Sequence, residues 1–173
     1  MRSFLFKASI ISILTLFTGV ITTFAIDVVG VLQPGDTLFA WQYFAEESHG
    51  NILGTSSEKA QHFIAIAQRR ADDLRDSAGT QNELISIYYL NQSLDRAALA
   101  LAKTQGKEAE NLRSSFEELL LKTRESLAVL SVAPQEEPEI WEILIAKIDS
   151  LQSSILNAET TPSVFTFIEG NSN

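Results

Sequence analysis

The residues with the greatest chemical reach in this chain are its two histidines, because each follows a glutamate at helical spacing. Glu46 and His49 are three apart. A carboxylate and an imidazole at that spacing share one helix face, as in carboxylate-bridged two-iron sites of helical bundles. Glu58 and His62, four apart on the next helical segment, would add two more ligands. Such a site needs two Glu-x-x-His pairs and a glutamate from each of two further helices. Only one such pair occurs. His49 also precedes Gly50, and a histidine at a helix end more often meets the terminal carbonyls. The expectation is no metal and no cofactor, with Glu46, His49, Glu58 and His62 as the residues that would carry one.

Other chemistries find less to stand on. There is no G-x-S-x-G nucleophile motif and no glycine-rich phosphate loop. The adjacent pairs Glu46-Glu47, Glu117-Glu118 and Glu136-Glu137 offer acids and bases by type, but neighbours on a helix point in different directions. They read as solvated charge. Asn91 and Thr123 interrupt apolar stripes, either as register-fixing polar positions or as the lining of a small ligand pocket. The absence of cysteine excludes disulfides, thiolate nucleophiles and cysteine-ligated metals. The reading is of a non-catalytic protein.

The elements that would position these side chains are helices. Glycine (8) and proline (4) are scarce in 173 residues, which favours long helices over strands and turns. Pro34-Gly35 reads as a turn, and Asp36 as the N-cap of a first helix from Thr37 to His49 that Gly50 stops. That helix carries Phe39, Trp41, Tyr43 and Phe44, at least half of which are expected in the core. A second helix opens near Ser56 behind a Thr55/Glu58 capping box, with Ala60, Phe63, Ile64, Ala67, Ala71 and Leu74 inward. Its outer side, with Arg69 paired to Asp73, faces water, and Gly79 ends it. The third helix, Gln81 to Lys103, follows a Thr80/Glu83 capping box and turns Leu84, Ile87, Tyr88, Leu94, Ala98 and Leu101 inward. The fourth, Lys107 to Val132, has the seam Ala109, Leu112, Phe116, Leu119, Thr123, Leu127 and Leu130. After the PQEEP break, Pro138 begins a fifth, with Ile140, Ile143, Leu144, Ile148, Leu151 and Ile155 inward. Val164 to Ile168, near the C-terminus, is apolar enough to dock. The fold class expected is all-α: an up-and-down antiparallel bundle of four to five helices after an N-terminal signal or anchor helix.

Ahead of the bundle, Ala8 to Ile26 contains no charge and follows Arg2 and Lys7. Its length lies between a signal peptide's apolar stretch of about 7–15 residues and the roughly 20 of a spanning helix. The cations place the N-terminus in the cytoplasm and everything from Asp27 outward. The protein is then exported, either secreted after cleavage near Ala25 or anchored. The divisions expected are 1–26 signal peptide or anchor, 27–36 linker, 37–157 bundle and 158–173 tail. The net charge of −9 argues against nucleic acid, whose phosphates need Lys and Arg, and against docking driven by anionic lipid.

Pro34, Gly35, Asp36, Leu38 and Phe39, followed by Arg69 and Arg70, give the stretch from Leu32 to Leu130 a pattern. It resembles a bacterial family of extracytoplasmic helical domains of unknown function. In that family a leader precedes a proline-glycine-aspartate-x-leucine-aromatic motif, and a helix with a basic pair follows. The resemblance implies an exported or membrane-anchored domain, some relatives of which accompany anti-sigma-factor-type regulators. It implies no activity, cofactor or catalytic residue. The function expected is a protein-interaction module of unknown partner at the outer face of the membrane. The alternatives are a small-ligand-sensing bundle that admits its ligand near Asn91 and, more distantly, a metal-binding bundle.

Overall fold

The first helix is entered through a turn written in the residue types. Gly35 has φ 105°, and proline precedes it, the order that a type II turn requires. Asp36 closes this turn from both sides: its N–H donates to the Gln33 carbonyl at 3.0 Å, and its Oδ2 accepts from the Gln33 N–H at 2.9 Å. The carboxylate expected to cap the helix therefore caps the turn before it. The backbone carbonyl of Asp36 takes the Phe39 N–H instead.

The structure, a computed structural model, describes residues 32–130 and 137–160. The leader over 1–26, the linker up to residue 31, the end of the fourth helix at Val132, most of the PQEEP break and the tail from 161, with Val164 to Ile168, lie outside the described residues. Within them the chain is all-α, a helical bundle, with α1 Phe39–Ile52, α2 Ser56–Ser77, α3 Glu83–Ala102, α4 Lys107–Leu130 and α5 Pro138–Thr160. The chain forms two compact units, one up to His49 and one from Gly50 onward. The first holds the turn and most of α1; the second holds α2 to α5.

Gly50 does not stop α1. It lies inside the helix, and a Cβ there would stand 2.5 Å from Phe63 Cζ. The glycine permits close approach of α1's end to α2 rather than terminating anything. The Thr55/Glu58 capping box of α2 is formed in both directions: Glu58 N–H donates to Thr55 Oγ1 at 3.1 Å, and Thr55 N–H to Glu58 Oε2 at 3.0 Å. The inward residues Ala60, Phe63, Ile64, Ala67 and Leu74 are buried as expected.

The wet face of α2 needs a correction. Arg70 is fully buried and pairs with Asp73 at 2.6 Å, three residues on, so this ion pair belongs to the interior. The sequence pattern puts this side of α2 in water, whereas Arg70 and Asp73 are both buried. Gly79, at φ 73°, then turns the chain into α3, which starts at Glu83 rather than Gln81. The expected capping box of α3 is replaced: Glu83 Oε2 reaches back to the Gly79 N–H at 2.5 Å, while Thr80 Oγ1 donates to the Ser77 carbonyl. Along α3 the small residues Ser86, Ser93, Ala97 and Ala100 are buried beside Ile87, Leu90, Leu94 and Leu101. Small side chains let neighbouring backbones come close. Tyr88, expected inward, is exposed.

α4 has the expected phase, with Ala109, Phe116, Leu119, Thr123 and Leu127 buried. α5 differs at one position of consequence. Ile143 faces outward, and the inner face is Trp141, Leu144, Ile148 and Ile155. One hydrophobic cluster joins all four helices of this unit. Two polar ties run up α3 and α5 together: Glu83 with Trp141, and Asp95 with Lys147. α3 and α5 therefore run parallel, as an up-and-down order requires of them. Arg124 Nε to Asp149 Oδ1, at 2.9 Å, ties α4 to α5.

Candidate functional site

The four residues singled out for metal chemistry have other occupations. In the first unit Glu46 is buried and accepts from Gln42 Nε2 at 2.9 Å, and Gln42 Oε1 in turn accepts the Leu32 N–H at 3.0 Å. His49, three residues on, is exposed, so the pair does not turn toward a common interior. In the second unit the Glu58 carboxylate holds the start of α2. The Thr55 N–H and hydroxyl, with a lesser contribution from the Gly54 backbone, keep it below the ordinary carboxylate range. His62 is half-buried and meets the Phe63 ring edge-on at 5.4 Å. Among the described residues no three or more histidine and acidic side chains gather as a metal site.

The remaining polar candidates are mostly structural. Thr123 Oγ1 donates to the Leu119 carbonyl of its own helix at 2.7 Å. Of the acidic pairs, Glu118 is exposed and bonded to Lys122 at 2.7 Å, which lowers its pKa. Glu117 is half-buried, and Glu136 lies outside the described residues. The chain also contains a Ser56-x-x-Lys59 spacing, which matches a serine–lysine catalytic motif by type. Ser56 is exposed in the first turn of α2, where this spacing follows from the capping sequence. Asn91 is different. Its Oδ1 is enclosed with no hydrogen-bond partner, as is Ser93 Oγ on nearly the opposite side of the helix, while the Asn91 backbone carbonyl accepts from Lys147 Nζ at 3.3 Å.

A shallow pocket of about 70 Å³ opens between α2 and α4, near Gln68, Asp72, Arg75, Lys122 and Ser126. Small-molecule sites usually run to about 300–1,000 Å³. Both cations there already hold carboxylates, Arg75 with Asp72 at 2.9 Å and Lys122 with Glu118. The pocket offers room for a few waters or a small ion.

Several large apolar side chains are exposed, among them Ile143, which the sequence pattern places inside, and aromatics of α1, at least half of which it places in the core. On α1 the helix buries Phe39 with the polar Gln42 and Glu46, and turns Trp41 (71% exposed) and Phe44 (60%) outward with Leu38 at its entrance. Only Phe39 of the four aromatics is buried, and Tyr43 is half-buried. The signal was legible: Gln42 and Glu46 are four apart, and so share a face that excludes Trp41 and Phe44. On the outer layer of the second unit, Leu121 and Val129 of α4 and Ile143 and Leu156 of α5 are exposed. Among the described residues no helix is long and apolar enough to cross a membrane. Compared with protein-family models, curated proteins and solved structures, the chain has no significant match.

Proposed function

We propose that this chain is a non-catalytic helical bundle, exported and held at the outer face of a membrane through residues 1–26, where it serves as a protein-interaction module. The supporting observation is the outer surface of the α4–α5 pair. Leu121 precedes Arg124 by about one turn, and Leu156 follows Asp149 by about two. Because the two helices are antiparallel, both leucines lie on the same side of the Arg124–Asp149 ion pair, within about 6 Å of one another along the axis. Each is about half exposed, 51% and 53%. Exposed apolar side chains beside a rim of charge are what a moderate protein interface uses. The interior ion pair and hydrogen bonds, by contrast, serve the bundle's own packing.

The test is site-directed photocross-linking in intact membranes, with the reactive group at residue 121 or 156 and a control at Glu110, which is exposed on the same helix. The same adduct at 121 and 156, absent at 110 and lost in Leu121→Glu/Leu156→Glu, is expected. Equal labelling at all three positions, or none, removes the reading. The ligand-sensing alternative rests on the enclosed Asn91 Oδ1 and Ser93 Oγ. It predicts that Asn91→Leu abolishes any small-molecule stabilisation of the fold and leaves the cross-links untouched.

A further inference from the structure

The α1 surface asks for a different occupant. Leu38, Trp41 and Phe44 are three residues apart, and each step of three turns a helix by 300°, so the three side chains share an arc of about 120°. They are 53%, 71% and 60% exposed. The buried side of the same helix carries Gln42 and Glu46: Gln42 Nε2 donates to Glu46 Oε1, and Gln42 Oε1 accepts the Leu32 N–H. Gln42 and Glu46 are enclosed while Leu38, Trp41 and Phe44 face outward, so this outward side of the helix suits an apolar medium, with the exposed polar residues His49 and Asn51 confined to the helix's last turn. The helix has no lysine or arginine.

Chain length identifies that medium. The uncharged run ends at Ile26, and only residues 27–37 separate it from Leu38. Fully extended, such a stretch reaches no more than about 40 Å at about 3.3–3.6 Å per residue. The turn at Gln33–Asp36 shortens it. If residues 1–26 are fixed in a bilayer, α1 is held within a helix length or two of that bilayer's surface. A short tether of this kind raises the effective concentration of the helix at the surface to the millimolar range. Tryptophan and phenylalanine are side chains that settle at the headgroup boundary. A second copy is a poorer fit. An aromatic side chain buries about 150–250 Å² at most, and three partly exposed residues fall short of the about 800 Å² per partner of a stable interface.

We infer that α1 lies along the outer leaflet with Leu38, Trp41 and Phe44 in its interfacial layer, so that the domain is held by both an anchor and a surface helix. The inference rests on the anchor reading of residues 1–26. Since the helix lacks cations and the chain is acidic, burial of apolar area drives the contact, and neither salt nor anionic lipid strengthens it.

The chain is suited to a direct optical test, because its two tryptophans are Trp41 and the buried Trp141, and the leader contains none. The full chain is reconstituted into phosphatidylcholine vesicles, with and without brominated acyl chains, and tryptophan emission is followed. The expected result has three parts: quenching by bromolipid that Trp41→Phe abolishes, weak quenching of Trp41 by aqueous iodide, and no change between low and high salt. Quenching of Trp41 by iodide and not by bromolipid places the face in water and overturns the inference. Protection from both quenchers places it against protein, a second copy in purified vesicles, and also overturns it. An alkaline wash separates the two readings. If the chain washes out while bromolipid still quenches Trp41 beforehand, the anchor reading fails and the surface helix stands. If the chain resists the wash while bromolipid leaves Trp41 unquenched, the reverse holds.

Discussion

Asp72 and Asp73 are neighbours in sequence, and the fold gives them opposite surroundings. Asp73 is about nine-tenths buried with its partner Arg70 fully enclosed, at 2.6 Å. Asp72 is 44% exposed and meets an exposed Arg75 at 2.9 Å. Truncating Asp73 to alanine removes the carboxylate that the enclosed Arg70 guanidinium meets at 2.6 Å. Breaking a buried pair in this way costs about 3–5 kcal/mol, against the roughly 5–15 kcal/mol that a whole domain has. For a unit of this size each kcal/mol moves the melting temperature by about 3–5 °C, so Asp73→Ala should lower it by roughly 10–25 °C. Asp72→Ala removes only a screened surface pair, and should cost less than about 0.5–1 kcal/mol.

The third arm of the experiment isolates the reason. Replacing both partners, Arg70→Met with Asp73→Leu, removes the charge and fills much the same volume, so most of the lost stability should return. The assay is thermal and urea unfolding followed by circular dichroism on these variants and on Arg70→Met and Asp73→Leu singly, which close the double-mutant cycle that gives the coupling. Equal, small shifts for Asp72→Ala and Asp73→Ala would mean that Arg70 is solvated and the buried assignment is wrong. A large loss for Asp73→Ala that the double variant does not recover would mean that the pair is needed for its hydrogen bonds and not merely compensated.

Four further outcomes follow from the packing and the α2 cap. Phe116, 1% exposed in the α4 seam, should cost about 3–5 kcal/mol as Phe116→Ala, while exposed Glu125→Ala changes stability by less than about 0.5 kcal/mol; equal effects would refute the phase of α4. Gly50→Ala gains up to about 1 kcal/mol of helix propensity but sets a methyl group against Phe63, an overpacking of about 1–3 kcal/mol, so a higher melting temperature would contradict the close approach. Thr55→Ala should cost about 1 kcal/mol through the lost cap. The carboxyl of Glu58 has a lowered pKa in the folded chain, so its contribution is present above the unfolded pKa and fades as pH falls through the folded one. Acid titration of unfolding should show that loss in the wild type and not in Glu58→Gln.

Features that depend on near neighbours in sequence were legible. The Thr55/Glu58 box, the Gly79 turn, Pro138 at a helix start and the α4 seam each involve residues within a turn or a few turns of one another. What escaped depends on partners far along the chain. Arg70 and Asp73 look like any exposed pair at helical spacing, and only the helices around them make the pair interior. Gly50 reads as a stop until Phe63, thirteen residues later, is seen beside it. Trp141 was passed over in favour of Ile143 because the benefit of burying an indole lies in an acceptor 58 residues away, Glu83 Oε1 at 2.9 Å. The outward face of α1 is a different case: residue type alone puts its aromatic rings in the core, while the spacing of Gln42 and Glu46 opposes that placement.

Those long-range polar ties have a consequence for how the bundle is specified. Leucine and alanine seams are forgiving: sliding one helix by a turn, about 5.4 Å, sets equivalent apolar residues against each other at modest cost. No disulfide is present to prevent it. Glu83 to Trp141, Asp95 to Lys147 and Arg124 to Asp149 do not survive such a slip, because each needs one donor opposite one acceptor within about 3 Å. All three end on α5, the helix whose connection to the rest of the bundle is longest in sequence. Two reach α3 and one reaches α4, so α5 is held from both sides at three heights. The Glu83–Trp141 tie is the one buried at both ends, and an unpaired indole or carboxylate there would be costly where a surface ion pair would not. Register is therefore set chiefly near the start of α5. The exposed Leu121 and Leu156 are then held in fixed relation, which is what the proposed interaction surface needs.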